Sequence, residues 1–415
     1  MSKVVVRFAN VILRGATLSC KFLLIFMLAS YLDPTDLGLY GLLVVSIDFA
    51  VFVVGVDFYT YSNRELIKRG VGDWGDIFKA QISVSLFMLS LVVPVFVFVF
   101  VFEFLPWGVF NWFIPLLVVE YFAQELNRVL VAISKQFIAS VVLFVRSGVW
   151  VVAVALMLYY EPATRNLDVV LSFWFFGSLF ACIVGVSVVC KQEVKGWVRP
   201  IDYSWVKLGL WVAFPFLLST LALRGIFTVD RYWMESLLGL EALGAYVLFI
   251  GMANVVVSFL DAGVFVFIYP GLIKAHEENN SEAFRLFMRK LIVQGFVVGV
   301  SLSFALYAVL GVAIDFIDKP IFIAYEWMFP WIMLANLIYC LGMIPQFGLY
   351  AQGFDRDIVR SQVVSFAVFL FVVYSVSNIS PEAAVIVGLI CSLSVGAGWK
   401  AVMYFTKTPQ NYRII

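Results

Sequence analysis

The chain has 415 residues, 63% of them hydrophobic and 13% charged, with a mean hydropathy of +1.00 and a net charge of +1. Soluble proteins run at about 45–50% apolar and 25% charged, so a water-soluble globule is excluded and the bilayer is the natural solvent. The chain has no basic tract of the kind that binds nucleic acid, and its five cysteines lack the CxxC spacing of a zinc site or the pattern of a disulfide framework.

A membrane-crossing helix needs ~20 mostly apolar residues. Twelve such stretches follow one another: 6–31, 38–62, 79–102, 111–133, 137–160, 168–190, 207–229, 241–268, 288–314, 326–350, 359–378 and 382–404. Arg14 and Lys21 interrupt the first run and no small-x-small cleavage site follows it, so it is an uncleaved span and not a signal peptide. Pro94, Pro115, Pro215, Pro330 and Pro345 fall inside predicted spans, where membrane helices tolerate breaks if neighbours re-satisfy the backbone. The connections are short, and none could house a soluble catalytic domain.

Lysine and arginine placement sets the direction. With the N-terminus inside, eighteen basic residues lie in cytoplasmic segments and three (Arg165, Arg231 and Lys319) in outer loops. Both termini are then cytoplasmic, in a plasma membrane that for a bacterium is the inner one. Leu37-Gly38-x-Tyr40 opens the second span, and Leu243-Gly244-x-Tyr246 opens the eighth, 206 residues later. Each copy of the repeat covers six spans, an even number, so the two halves share one orientation about an axis along the membrane normal. The expected architecture is an all-α membrane protein of twelve transmembrane helices in two six-helix lobes around a central cleft. The lobes run over 1–195 and 207–415, joined by a cytoplasmic linker at 196–206.

Ionisable side chains inside a span cost about 2.5–3.5 kcal/mol near the bilayer centre, so each asks for a partner or a purpose. Arg7, Arg14 and Lys21 are seven residues apart and therefore share a helix face. Lys21 stands at the depth of Asp48 on the next span and Arg14 at that of Asp57. Around the turn near 135, Arg146 falls near the level of Glu125, which Arg128, one turn away on the same helix, can share. Arg224 faces no acid at its level on the eighth span, and Asp230 is off its face. Neutralisation between packed helices is the plain reading of each pair, and snorkelling to the surface that of Arg224. Cations on both the first and the seventh span, which are repeat-mates, would instead converge on the cleft and form an anion site. His276, beside Glu277 and Glu278, reads as a solvated loop residue. No P-loop, Ser/His/Asp set or metal-ligand spacing is present, so the chain is expected not to be an enzyme and to need no cofactor.

The stretch Leu32-Asp33-Pro34-Thr35-Asp36-Leu37-Gly38-Leu39-Tyr40-Gly41, with Gly55-Val56-Asp57 and Arg64-Glu65-Leu66 closing the second span, resembles the multidrug/oligosaccharidyl-lipid/polysaccharide (MOP) flippase superfamily. Asp230-Arg231-Tyr232 ahead of Leu240-Glu241-Ala242-Leu243-Gly244-Ala245-Tyr246 is the corresponding signature in the second half. Within that superfamily the likeness is to bacterial O-antigen or capsule repeat-unit flippases of the Wzx type. It implies alternating access that moves a polyprenyl-diphosphate-linked oligosaccharide from the cytoplasmic to the periplasmic face. Arg14, Lys21, Arg146 and Arg224 would bind the diphosphate and glycan. Asp48, Asp57, Glu125, Arg128 and Asp230 would form ion pairs or carry protons, with H+ or Na+ as the coupling ion. Membrane lipids, a polysaccharide polymerase and a chain-length regulator are the partners implied. Lipid II flippases of the superfamily exceed twelve spans. A drug/cation antiporter of the MATE type is the alternative within transporters, though it would favour an acidic lumen. A polytopic glycan polymerase is the alternative outside them, but it usually needs a large outer loop.

Overall fold

The computed structural model describes residues 3–192 and 194–413, and it holds no strand among the described residues. In chain order the helices are α1 (Lys3–Tyr31), α2 (Pro34–Gly55), α3 (Tyr59–Lys68), α4 (Trp74–Val101), α5 (Phe110–Ala132), α6 (Gln136–Phe144), α7 (Trp150–Tyr160) and α8 (Leu167–Cys190). They continue with α9 (Tyr203–Leu260), α10 (Val266–Glu277), α11 (Ser281–Ile317), the short α12 (Pro320–Ala324), α13 (Met328–Ala351), α14 (Asp355–Ser377) and α15 (Pro381–Lys407). Wide π-turns join α6 to α7 (Val145–Val149) and α9 to α10 (Asp261–Phe265).

Ten described stretches are long and apolar enough to cross a membrane. α5 is long enough but carries Glu120, Gln124, Glu125, Asn127 and Arg128 among its apolar residues. The longest stretch, Tyr203–Glu277, is two spans: its backbone breaks at Gly239 (φ 84°, ψ 174°). Tyr246 donates to Asp230 across that break, so the two segments run back along each other. A positive φ is where glycine costs least, and Gly239 makes the whole turn. The helix before it therefore runs further than the predicted 207–229. Arg231, expected in an outer loop, lies instead inside the helix and is 9% exposed. The expectation fails because a one-glycine turn needs no loop.

Local chemistry sets the ends. Asn166 accepts from Val169 N (3.0 Å) at the start of α8 and Asn280 from Ala283 N (2.9 Å) at the start of α11, satisfying backbone donors that the first turn leaves open. Pro320 and Pro381 open α12 and α15, and Pro330 sits in the first turn of α13 instead of breaking it. Pro94, Pro115, Pro215, Pro270 and Pro345 lie within helices.

By packing, the chain divides into two compact units, residues 1–32 with 39–221 and residues 33–38 with 222–415. The division falls inside the first segment of α9, between Leu221 and Ala222, and not in the connecting segment 196–206. Both repeat glycines meet within the second unit. A Cβ on Gly38 would stand 2.3 Å from the Leu240 carbonyl oxygen, and one on Gly244 would stand 2.2 Å from the Pro34 carbonyl oxygen. Leu240 and Pro34 are themselves separated by the repeat interval of 206 residues. The paired Leu-Gly-x-Tyr motifs thus exist for a close, reciprocal approach of two helix starts. The repeat extends further: α2 ends 17 residues after Gly38, and the π-turn begins 17 residues after Gly244.

Candidate functional site

In the first unit, α5 presents two carboxylates to two different polar clusters. Glu120 is 6% exposed. Trp174 Nε1 donates to its Oε1 at 2.7 Å, the Ser178 hydroxyl donates to the same oxygen, and both come from α8. Arg146 closes on Oε2 through Nε at 2.7 Å and through a terminal nitrogen, which also reaches Gln124 Oε1 at 3.4 Å. Four donor groups on one buried carboxylate satisfy its charge in the way a low-dielectric interior demands.

This overturns the depth match of Arg146 with Glu125. The two acids are five residues apart and point about 140° apart around the helix, so one arginine cannot choose between them by depth alone. The π-turn Val145–Val149 carries Arg146 to the Glu120 side. π-turns inside helices are rare and are frequently found at functional sites.

Glu125, 8% exposed, belongs to the other cluster. Arg128 donates to it at 2.5 Å, as the one-turn spacing predicts, and Gln81 Nε2 donates at 2.7 Å. Ser62 donates to Gln81 Oε1 at 3.2 Å, Ser85 and Tyr121 share a hydrogen bond of 2.5 Å, and the Arg128 guanidinium lies 3.6 Å from the centre of the Tyr59 ring. Asp57, 2% exposed, accepts from Thr220 Oγ1 at 2.7 Å. Its backbone and that of Val56 are left-handed (φ 49° and 48°). Two consecutive non-glycine residues there cost about 1–2 kcal/mol each, and the buried Asp57 contact helps hold them.

In the second unit, Asp230 is fully buried and accepts from Tyr246 OH (2.7 Å) and Arg231 (3.0 Å). Arg231 also donates to Phe227 O one turn back. Asn336 donates to Asn254 at 3.3 Å, and Lys407 donates to Asp357 at 2.6 Å. Arg224 and Asp261 both lie within electrostatic reach of Tyr339. His276, expected to be solvated, instead packs edge-on against Tyr412 with ring centres 5.5 Å apart, and its Nδ1 is buried. Its position in the last turn of α10 gives it an aromatic neighbour that sequence distance hides.

The predicted cations Arg14, Lys21 and Arg224 are exposed; Lys21 and Arg224 lie deep within helices long enough to cross a membrane, and Arg14 lies near the start of the Ile12–Tyr31 span. Lys21, Asp48 and Arg224 all engage neighbouring groups, and Asp48 is half-buried. The Arg7 side chain lies outside the described residues. Sequence reasoning finds Tyr246 in the repeat motif but not its bond to Asp230, and it misses Glu120, Gln81, Trp174, Ser178 and Thr220. Of these, Glu120 alone carries a legible signal, as an acid in the middle of an apolar run.

No protein-family profile and no curated protein sequence matches the chain. Solved structures do. An inward-facing multidrug-resistance MATE-family transporter of the MOP superfamily superposes with a TM-score of 0.73 at 12% identity, covering 95% of this chain and 98% of that one. An outward-facing MATE-family transporter gives 0.60 at 14% identity over 98% and 97%. A MOP-superfamily transporter from Pyrococcus furiosus Vc1 (DSM3638), described as having a binding pocket whose reverse polarity suggests a different function, gives 0.61 at 14% identity over 97% and 96%. At such identities the likeness is one of fold. The chain is a multi-pass, all-α membrane protein built on the fold of MOP-superfamily transporters.

Proposed function

We propose that the protein is a flippase that passes a polyprenyl-diphosphate-linked oligosaccharide, a repeat unit of a surface polysaccharide, across the bacterial inner membrane by alternating access. The observation that supports this is how the charges inside the spans divide. Asp57, Glu120, Glu125 and Asp230 are at most 8% exposed, and each accepts hydrogen bonds from neighbouring side chains. The cations Arg14, Lys21 and Arg224 are exposed. An exposed cation deep in a spanning helix is tolerated where it faces water and not hydrocarbon. A water-filled path lined by such cations attracts an anion, and arginine contacts phosphate oxygens in pairs. In this reading Arg14, Lys21 and Arg224 bind the diphosphate, and the buried acids hold the helices in register or carry the coupling proton.

The test is a deletion strain complemented with Arg224→Ala or Lys21→Ala at normal expression. The expected outcome is a fall in surface glycan of about tenfold or more, one charge-assisted contact's worth, with the diphosphate-linked oligosaccharide accumulating on the cytoplasmic face. Full restoration of surface glycan by both variants would end the anion-path reading. The fold likeness to multidrug transporters supports a second reading, a drug/cation antiporter. Dye efflux by the chain with an unchanged lipid-linked pool would select it.

A further inference from the structure

One cation in the second unit is buried without an acid. Lys400 on α15 is 7% exposed, and among the described residues its ammonium has one hydrogen-bond acceptor, Gln346 Oε1 on α13 at 3.1 Å. It borders a small, partly open cavity lined by residues of α13, α14, α15 and the first segment of α9, including Tyr339, Gln346, Ser361, Gln362 and Ser365. None of the lining residues is an aspartate or glutamate. The other buried cation of this unit, Arg231, is answered by an acid, Asp230.

A charged group in a low-dielectric interior is stable only when it is both paired and hydrogen-bonded. One neutral amide carbonyl leaves two ammonium protons and the whole charge unanswered. The cavity has about 20 Å³ of room for water-sized guests, above the ~10–15 Å³ that one water needs and too little for a tetrahedral oxyanion with its oxygens. Gly342, whose added Cβ would stand 3.6 Å from Lys400 Nζ, keeps the space beside the ammonium open. Ser361 and Ser365 spend their hydroxyl protons on carbonyls of their own helix. Besides the ammonium, the Gln346 and Gln362 amides and the Tyr339 hydroxyl are the donor groups among the lining residues. The ammonium repels a metal cation. We infer that this cavity is a binding site for a single monovalent halide, chloride in the cell, held by Lys400 with Gln346 as its orienting partner. The inference concerns the interior of the second unit and stands whatever cargo the protein moves.

The experiment is thermal unfolding of the purified full chain in detergent at neutral pH, comparing chloride, bromide, gluconate and sulfate at matched ionic strength. The expected result is a rise in Tm of about 2–4 °C in chloride and bromide over gluconate. Sulfate stabilises proteins non-specifically by exclusion from their surface, so any rise it gives should persist in Lys400→Met, whereas the halide rise should be abolished there. A Tm that is the same in halide and gluconate, or that keeps its halide shift in Lys400→Met, would overturn the site. Should Lys400→Met not fold, crystals of the unaltered protein grown in bromide decide the matter. An anomalous peak within hydrogen-bond distance of Lys400 Nζ upholds the assignment, and its absence overturns it.

Discussion

The two units solve the problem of charge in a membrane in different ways. In the first, the buried acids of α5 each receive several donors. Glu120 is held by Arg146, Trp174 and Ser178, and Glu125 by Arg128 and Gln81. In the second, Asp230 is matched locally by its sequence neighbour and by Tyr246, while Lys400 has only an amide. The first unit thus ties α4, α5, α8 and the π-turn between α6 and α7 together through ionic knots. The second packs α15 against α13 and α14 with glycines at close contacts, such as Gly396 against Ser365 and Gly388 against Val373. The lesson is that a duplicated scaffold can keep its turns and breaks while its two copies distribute polar residues independently.

The contrast is broken most sharply at Glu120. Glu120→Ala strands the Arg146 guanidinium, the Trp174 N–H and the Ser178 hydroxyl in a dry site. It is expected to destabilise the protein by about 3–5 kcal/mol, read as a loss of folded, detergent-extractable protein or of denaturant resistance. Glu120→Gln, which keeps an acceptor, should recover part of that loss.

Next in size are the repeat glycines. A methyl on either would lie 2.2–2.3 Å from a carbonyl oxygen, so Gly38→Ala and Gly244→Ala should each cost about 1–3 kcal/mol through overpacking. Because the two contacts are reciprocal, the double variant should cost less than the sum, since one backbone shift relieves both. A double-mutant cycle in thermal unfolding checks this, and strict additivity would show that the two approaches are independent.

Smaller again is Thr220→Val, which removes one donor to Asp57 while keeping the shape. It should cost about 1 kcal/mol, the net worth of one hydrogen bond, and be visible by the same unfolding assay. Arg14→Ala sits at the bottom of the stability scale. An exposed side chain away from a packed contact should change stability by no more than about 0.5 kcal/mol, yet under the proposed function transport should fall. A variant that kept full transport would separate Arg14 from the anion path.

Much of the fold is legible in the amino-acid sequence alone. Continuous apolarity, the positions of Pro and Gly, and one repeated tetrapeptide are enough for the helical membrane class and the approximate span count. They suffice because a bilayer allows few ways to satisfy a backbone. The one-turn pair Glu125–Arg128 is legible for the same reason as any helix pair: its spacing is local. The Arg146–Glu120 pair is not, because depth matching treats helices as regular rods and the π-turn at Val145–Val149 is not one. The clustering of Trp174, Ser178 and Gln81 around the acids depends on which helix faces pack, and single-chain periodicity is silent there since α4 and α8 are apolar on nearly every face. Lys400 escapes notice in the sequence because its significance lies in the absence of an acid across the packing, which no sequence interval encodes.

The measurement that bears most directly on the central claim is translocation by the purified protein in proteoliposomes loaded with a polyprenyl-diphosphate-linked oligosaccharide. Sidedness would be read by a glycan-cleaving enzyme added outside. The account predicts protein-dependent exchange of the cargo between leaflets, slowed about tenfold or more in Arg224→Ala. Cargo that stays in its original leaflet, in vesicles whose protein moves a cationic dye, would contradict it.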